Sequence, residues 1–364
     1  MLYNINIIKM EKKRNLNVEL IRIFAMMLIC LWHINGHFLP LVTKETNQLG
    51  GLLVRIMPFI TFHVNLFVLI TGYFGIRHSL KGVVKTCSLV MFYAVVLGAL
   101  LAVIGGTDFN WMQVLPFSGS PWWFMKVYLL LVLIAPVIEC YLQHTSKYGF
   151  YKLLFVVTFI NVYLGWFMHD SLYNHHGYDI LNFINVYLIG CWLRFGGKYI
   201  DLFKAKAHLP IILFLLCCAV RYKVQPIEAF NWYDYSSPLN LIMAASMFCI
   251  FLKIKVSQKL SGFILFFSTS AVAVYLITDY EAYYPWIASC LSQCLSWNYS
   301  PVIQLIIVLG FVSLMFVLCC LADKVRIKLT SCLENKICSN VEKLLLKGAG
   351  HGLYGARRSR SHRR

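Results

Sequence analysis

Ten apolar runs leave this chain little choice of fold. They lie near residues 16–38, 56–75, 82–104, 122–142, 151–168, 179–195, 208–224, 238–253, 263–280 and 300–322. Each is near the roughly 20 residues that carry a helix across a bilayer, with the fifth to eighth the shortest. In hydrocarbon every backbone N–H and C=O must be satisfied within the protein, so such runs become helices packed on one another. The expected fold is therefore all-α, a polytopic integral membrane helix bundle of about ten transmembrane helices. The charge content agrees: 13% of residues are charged, against about 25% in a typical soluble chain. The first run is too long for a signal peptide and lacks a small-residue cleavage site, so it is expected to stay as a span.

Lysine and arginine fall in alternate loops. With the N-terminus in the cytoplasm, the inner segments hold Lys9, Lys12, Lys13 and Arg14, then Arg77, Lys81 and Lys85, then Lys147 and Lys152, and so on through the basic tail. The outer loops hold only Lys44, Arg55, Arg221 and Lys223. Cations concentrate on the inner side of membrane proteins, so both termini are expected to be cytoplasmic. Three regions follow: a cytoplasmic segment 1–15, a transmembrane domain 16–322 and a basic tail 323–364. Within the tail, 323–347 is expected to lie on the inner surface as an amphipathic helix, with Val325, Leu329, Leu333 and Ile337 apolar. Residues 348–364 are expected to be disordered. The net charge of +18 is thus a mark of membrane topology, and no nucleic-acid partner is expected. The thirteen cysteines lie mostly inside apolar runs, where packing is the expected role. His169, Asp170, His175, His176 and Asp179 gather in one outer loop but match no metal-ligand spacing. No metal is expected.

The first run carries polar groups in register. At about 100° per residue, Arg22, His33 and His37 fall within about 60° of Glu19 on one helix face. A charge at mid-bilayer costs roughly 2.5–3.5 kcal/mol on insertion scales, and such groups face the bundle interior or a wet cavity. This stripe is the leading site candidate. Two plainer readings stand beside it: an i, i+3 ion pair between Glu19 and Arg22, and a histidine that merely hydrogen-bonds between helices.

Several motifs then fall in a recognisable order. Glu19-Leu-Ile-Arg22 through His33 resembles the opening signature of the membrane acyltransferase-3 family, whose members share an arginine and a histidine separated by ten residues. Val64-Asn65-Leu-Phe-Val-Leu-Ile-Thr71-Gly72-Tyr73-Phe74 resembles the family's second span, with Thr71 for the usual serine. Pro121-Trp122-Trp123-Phe124 through Tyr128 to Pro136, Tyr187-Leu-Ile-Gly190, Ser237-Pro238-Leu and Val274-Tyr275-Leu-Ile-Thr278-Asp279 also resemble family segments. The likeness covers roughly 15–320. Thr278 departs from it, since the family often has histidine there. No transferase domain is expected after the last span, where some members carry one.

The resemblance implies acyl transfer, usually of acetyl, from cytoplasmic acyl-CoA (acetyl-CoA as co-substrate) to a hydroxyl of a surface polysaccharide, a lipid-linked precursor or a similar acceptor. His33 is then the general base or a transient acyl carrier. Arg22, about 16 Å below it along the axis, meets CoA phosphate or pantetheine, and Glu19 orients Arg22. Arg77, Lys81 and Lys85 hold CoA phosphates or are plain inner-loop charge. His37, Asn65, Thr71 and Tyr73 line the substrate cavity or bond between helices. Trp122, Trp123, Lys126 and Tyr128 form an interfacial belt or stack on a sugar. Asp279 and Glu281 accept from an acceptor hydroxyl or are ordinary loop acids. His63 has no assigned role. The expected setting is the cell membrane, with membrane lipid, a glycan or glycolipid acceptor and glycan-biosynthesis proteins as partners. The rival class is a transporter or flippase of polysaccharide intermediates. A third, an inactive sensor, rests on Thr278.

Overall fold

The computed structural model describes residues 14–42, 48–76, 80–168, 172, 175–206, 208–224, 231–295 and 299–360. Among them there are helices and no strands. The major helices are α1 (Leu16–His33), α2 (His63–Phe74), α3 (Leu80–Gly105), α4 (Trp123–His144), α5 (Lys147–Thr158), α6 (Ile180–Phe195), α7 (His208–Val224) and α8 (Pro238–Phe251). They continue with α9 (Ser261–Ser268), α10 (Ala271–Thr278), α11 (Tyr284–Cys294) and α12 (Pro301–Arg360). The chain is a multi-pass helical membrane bundle, and each apolar run coincides with one helix or one interrupted pair.

Seven of these helical stretches are long and apolar enough to cross a membrane: Leu16–Leu41, Met57–Phe74, Gly82–Gly105, Trp123–His144, Lys147–Phe167, Gln258–Thr278 and Pro301–Val341. The expected ten is not reached on length alone. At 1.5 Å per residue, α6 with 16 residues and α8 with 14 span about 24 and 21 Å, short of a core of about 30 Å. Both are heavily buried by their neighbours. The last span also runs on without a break. Residues 323–347, expected as a separate helix on the inner surface, continue α12, which is helical to Arg360. Asp323 anchors it to α3, accepting from Tyr93 Oη at 3.1 Å and from Arg326 Nε at 2.6 Å.

Two hydrophobic clusters build the core. One joins the second half of α1 to α3, α10, α11 and α12 through residues such as Cys30, Ala94, Val274 and Val312. The other joins the first half of α1 to α2, α4, α6 and α8 through Ile21, Leu66, Leu131, Val186 and Phe248. Helix α1 therefore threads both clusters, and its polar stripe lies along their seam.

Glycine sets the closest contact in the second cluster. A Cβ on Gly72 would strike the Tyr187 carbonyl, and one on Gly190 would strike that of Leu69, so α2 and α6 pack backbone against backbone. Below this contact, Glu139 accepts from Tyr187 Oη at 2.6 Å and from Arg194 at 2.8 Å. Tyr187 in turn accepts from the Ile76 amide, just after Gly75 turns the chain at φ 70°. At the other end, Arg221 is not the loop cation expected. It is 1% exposed and donates to the Pro58 and Trp232 carbonyls and to Thr61 Oγ1. These bonds staple the segment 231–237 over the start of α2.

Candidate active site

The site grows from a change of helical pitch. Helix α1 passes at His33 into a π-helical stretch, Ile34–Phe38. A π turn uses more residues per revolution, so residues four apart overlap more closely, and such turns recur at functional sites. The rings of His33 and His37 lie 5.3 Å apart. Asp279 sits against both, its Oδ1 3.6 Å from His33 Nε2 and 3.6 Å from His37 Nε2.

Each of these groups is held from behind. His33 is 4% exposed, and its Nδ1 is 3.2 Å from Thr278 Oγ1. With the proton on Nδ1 and donated to Thr278, Nε2 carries the lone pair and faces Asp279. Tyr284 donates its hydroxyl to Asp279 Oδ1 at 2.8 Å and stacks on His37 at 4.6 Å. Burial first, then the Asp279 carboxylate, pushes the Tyr284 phenol above its ordinary range, so it stays a donor. A proton taken up at His33 Nε2 would be stabilised by Asp279, as a general base requires. The nearest ligand atoms of His33, His37 and Asp279 lie within 4.8 Å of one another, and this is where a divalent cation could be held.

A cavity of about 280 Å³ adjoins the cluster. Its wall on α1 is Met26, Ile29 and His33, with His37 above. Trp123, Tyr178, Tyr235 and Tyr275 supply aromatic faces. A second, outer chamber of about 370 Å³ shares Trp32, Tyr178 and Tyr235 with it. Trp123 stacks on Tyr235 at 5.9 Å and 20°. At the outer chamber, His176 Nδ1 meets Asp234 Oδ2 at 3.1 Å.

The predicted residues divide. His33, His37, Trp123 and Asp279 meet at the inner cavity, and Glu281 lines it too. Arg22 does not line it. It donates to Glu19 Oε1 at 2.9 Å, with its side chain 37% exposed. It nevertheless shares the cavity's face of α1, one turn below Met26. Asn65 binds the Tyr235 carbonyl at 2.7 Å and Asn182. It positions the aromatic wall and does not line the cavity. Thr71 contacts the Phe67 carbonyl and Tyr128 Oη, and Tyr128 stacks on Phe124. Tyr73 packs on Phe248. These three serve helix packing. Trp122 is fully buried and donates to the Leu276 carbonyl at 3.0 Å, so it belongs to no interfacial belt. Lys126 is half-buried and away from both chambers. Lys85 is exposed on the first turns of α3, which also carries Lys81. Arg77 lies outside the described residues, as do His169 and Asp170. Of the rest of that loop, Asp179 caps α6 by accepting from the Asn182 amide.

Sequence reasoning named Asp279 and Thr278 but did not set them against His33, because they come from a segment far along the chain. It also left His63 without a role, although His63 lines the cavity. A polar residue in an apolar run was the available signal for His63.

The arginine–histidine face, the cavity beside it and the carboxylate beside the imidazole form one polar seam in the bundle. A family profile described as an acyltransferase domain, acyltransferase-3, matches residues 15–324. The chain belongs to the acyltransferase-3 family. No curated protein matches it, and no solved structure does. As a family member it is a membrane acyltransferase, and the arrangement around His33 is its candidate catalytic centre.

Proposed function

We propose that the chain is an O-acyltransferase that moves an acyl group, acetyl by preference, from cytoplasmic acyl-CoA to a hydroxyl. The acceptor is a cell-surface polysaccharide or its lipid-linked precursor, and the setting is the cell membrane. The observation that carries this is the Thr278–His33–Asp279 arrangement at the edge of an aromatic-walled cavity. His33 Nε2 takes the proton of the acceptor hydroxyl as its oxygen bonds to the thioester carbon. The carbonyl pair moves onto oxygen and returns, the C–S bond breaks, and the CoA thiolate takes the proton back from His33. Asp279 holds the intermediate imidazolium.

The donor enters from the opposite direction. Arg22, oriented by Glu19, lies one turn below the cavity floor on the same face, half open to its surroundings. It suits a phosphate or pantetheine carbonyl. Lys81, Lys85 and Arg77 supply further cationic contacts for CoA phosphates. The loop basicity of the sequence supports a reading in which this end faces the cytoplasm and the two aromatic chambers face the acceptor.

The test uses inside-out membrane vesicles carrying the full chain, labelled acetyl-CoA and the lipid-linked glycans of the same membranes. Label should pass into carbohydrate with wild type and not with His33→Ala. Transport of glycan without label transfer would favour a flippase and overturn the proposal.

A further inference from the structure

His63 is an imidazole without an occupation. It is 1% exposed, it lines the inner cavity, and among the described residues neither ring nitrogen has a hydrogen-bond partner. Its ring neighbours are aromatic: Trp32 at 5.9 Å and Tyr235 at 6.0 Å. A buried polar group left unpaired costs roughly 1–3 kcal/mol, and native structures keep few of them. His63 is also the first residue of α2, a 12-residue helix whose start has no side-chain cap. The next residue, Val64, lines the cavity as well. The positive end of that helix and a free imidazole thus share one stretch of wall.

Of the three cavity imidazoles, His33 and His63 are furnished differently. His33 has a carboxylate at one nitrogen and a hydroxyl at the other, which suits a group that gains and returns a proton. His63 has neither, and it sits at a helix end that favours negative charge nearby. A neutral imidazole carries one N–H and one lone pair. Charge appears at one other place in an acyl transfer, on the carbonyl oxygen as the tetrahedral carbon forms.

We infer that His63 is a second substrate-touching residue, whose N–H binds the carbonyl oxygen of the acyl thioester and holds it while it is an oxyanion. The inference rests on the acyl-transfer reading above. When the acceptor oxygen adds to the thioester carbon, the carbonyl π pair moves to the oxygen held by His63. When the pair returns, the C–S bond breaks and the thiolate leaves with the proton from His33. His63 gives up no proton and forms no covalent bond. It works by being in place.

The experiment compares wild type, His63→Ala, His63→Leu and His63→Gln in the vesicle assay, over a range of labelled acetyl-CoA concentrations. Loss of one oxyanion donor costs about 10²- to 10³-fold in maximal rate. His63→Ala and His63→Leu should both fall by that factor, with the half-saturating acetyl-CoA concentration changed less than about twofold. His63→Gln keeps an N–H donor and should recover to within about tenfold of wild type. Equal activity of wild type and His63→Ala would overturn the inference and leave the transferase reading standing. So would a His63→Gln rate as low as that of His63→Ala, since a side chain that only fills space gains nothing from a donor. A wild type that moves no label overturns both.

Discussion

Each end of α1 carries a basic side chain beside a carboxylate, and the two are held differently. At the His33 end, the imidazole is sealed, with Thr278 and Asp279 against its two nitrogens and Tyr284 behind the carboxylate. At the Arg22 end, the guanidinium pairs with Glu19 and stays 37% exposed. Burial with preset hydrogen bonds suits a group that must meet a reacting atom in one geometry. Partial exposure on a long, flexible stem suits one that must catch and release a charged ligand. On the proposed reading, the helix separates chemistry from donor capture by about 16 Å along its axis, three turns.

Substitutions at the two ends should therefore break different parameters. The largest effect is expected for His33→Ala, a fall of about 10³-fold in maximal label transfer, within the range for loss of a general base. Asp279→Asn keeps the shape but removes the charge that stabilises the imidazolium, and should lower maximal rate about 10²-fold with little change in half-saturating donor. Arg22→Gln should act the other way. It is expected to raise half-saturating acetyl-CoA about tenfold, or ~1.4 kcal/mol of binding, and leave maximal rate within about threefold. Thr278→Val, which removes one hydrogen bond to His33, should cost about fivefold in rate, near the ~1 kcal/mol of such a bond. Each is read from a donor-concentration series in the same vesicles.

Thr278 bears on a further expectation. Where the family often has histidine, this chain has a hydroxyl that touches His33 and is fully buried. Thr278→His should lower transfer, because an imidazole there overpacks the site. An increase would support the view that the natural threonine cripples the centre.

The helices were legible because bilayer length and apolarity are local properties, and so was the Glu19–Arg22–His33 face. The partners of His33 were not, because Thr278 and Asp279 lie some 245 residues away and no periodicity links them to α1. Nor was the π turn after His33, since Ile34-Asn-Gly-His-Phe38 carries no proline to announce a break. Asn65 looked like a cavity residue for the same reason that Arg221 looked like a loop cation. A polar side chain in an apolar run shows that a partner exists, but whether that partner is substrate or a backbone carbonyl is decided by tertiary contact. For both, the structure supplies a carbonyl.

The most direct measurement sets His33→Gln beside Arg22→Gln in one series of acetyl-CoA concentrations, with initial rates of label transfer. A division of labour along α1 predicts that His33→Gln loses maximal rate at unchanged half-saturation, and that Arg22→Gln loses half-saturation at nearly unchanged maximal rate. If both variants lose the same parameter to the same extent, the two ends of the helix do one job and the division is wrong.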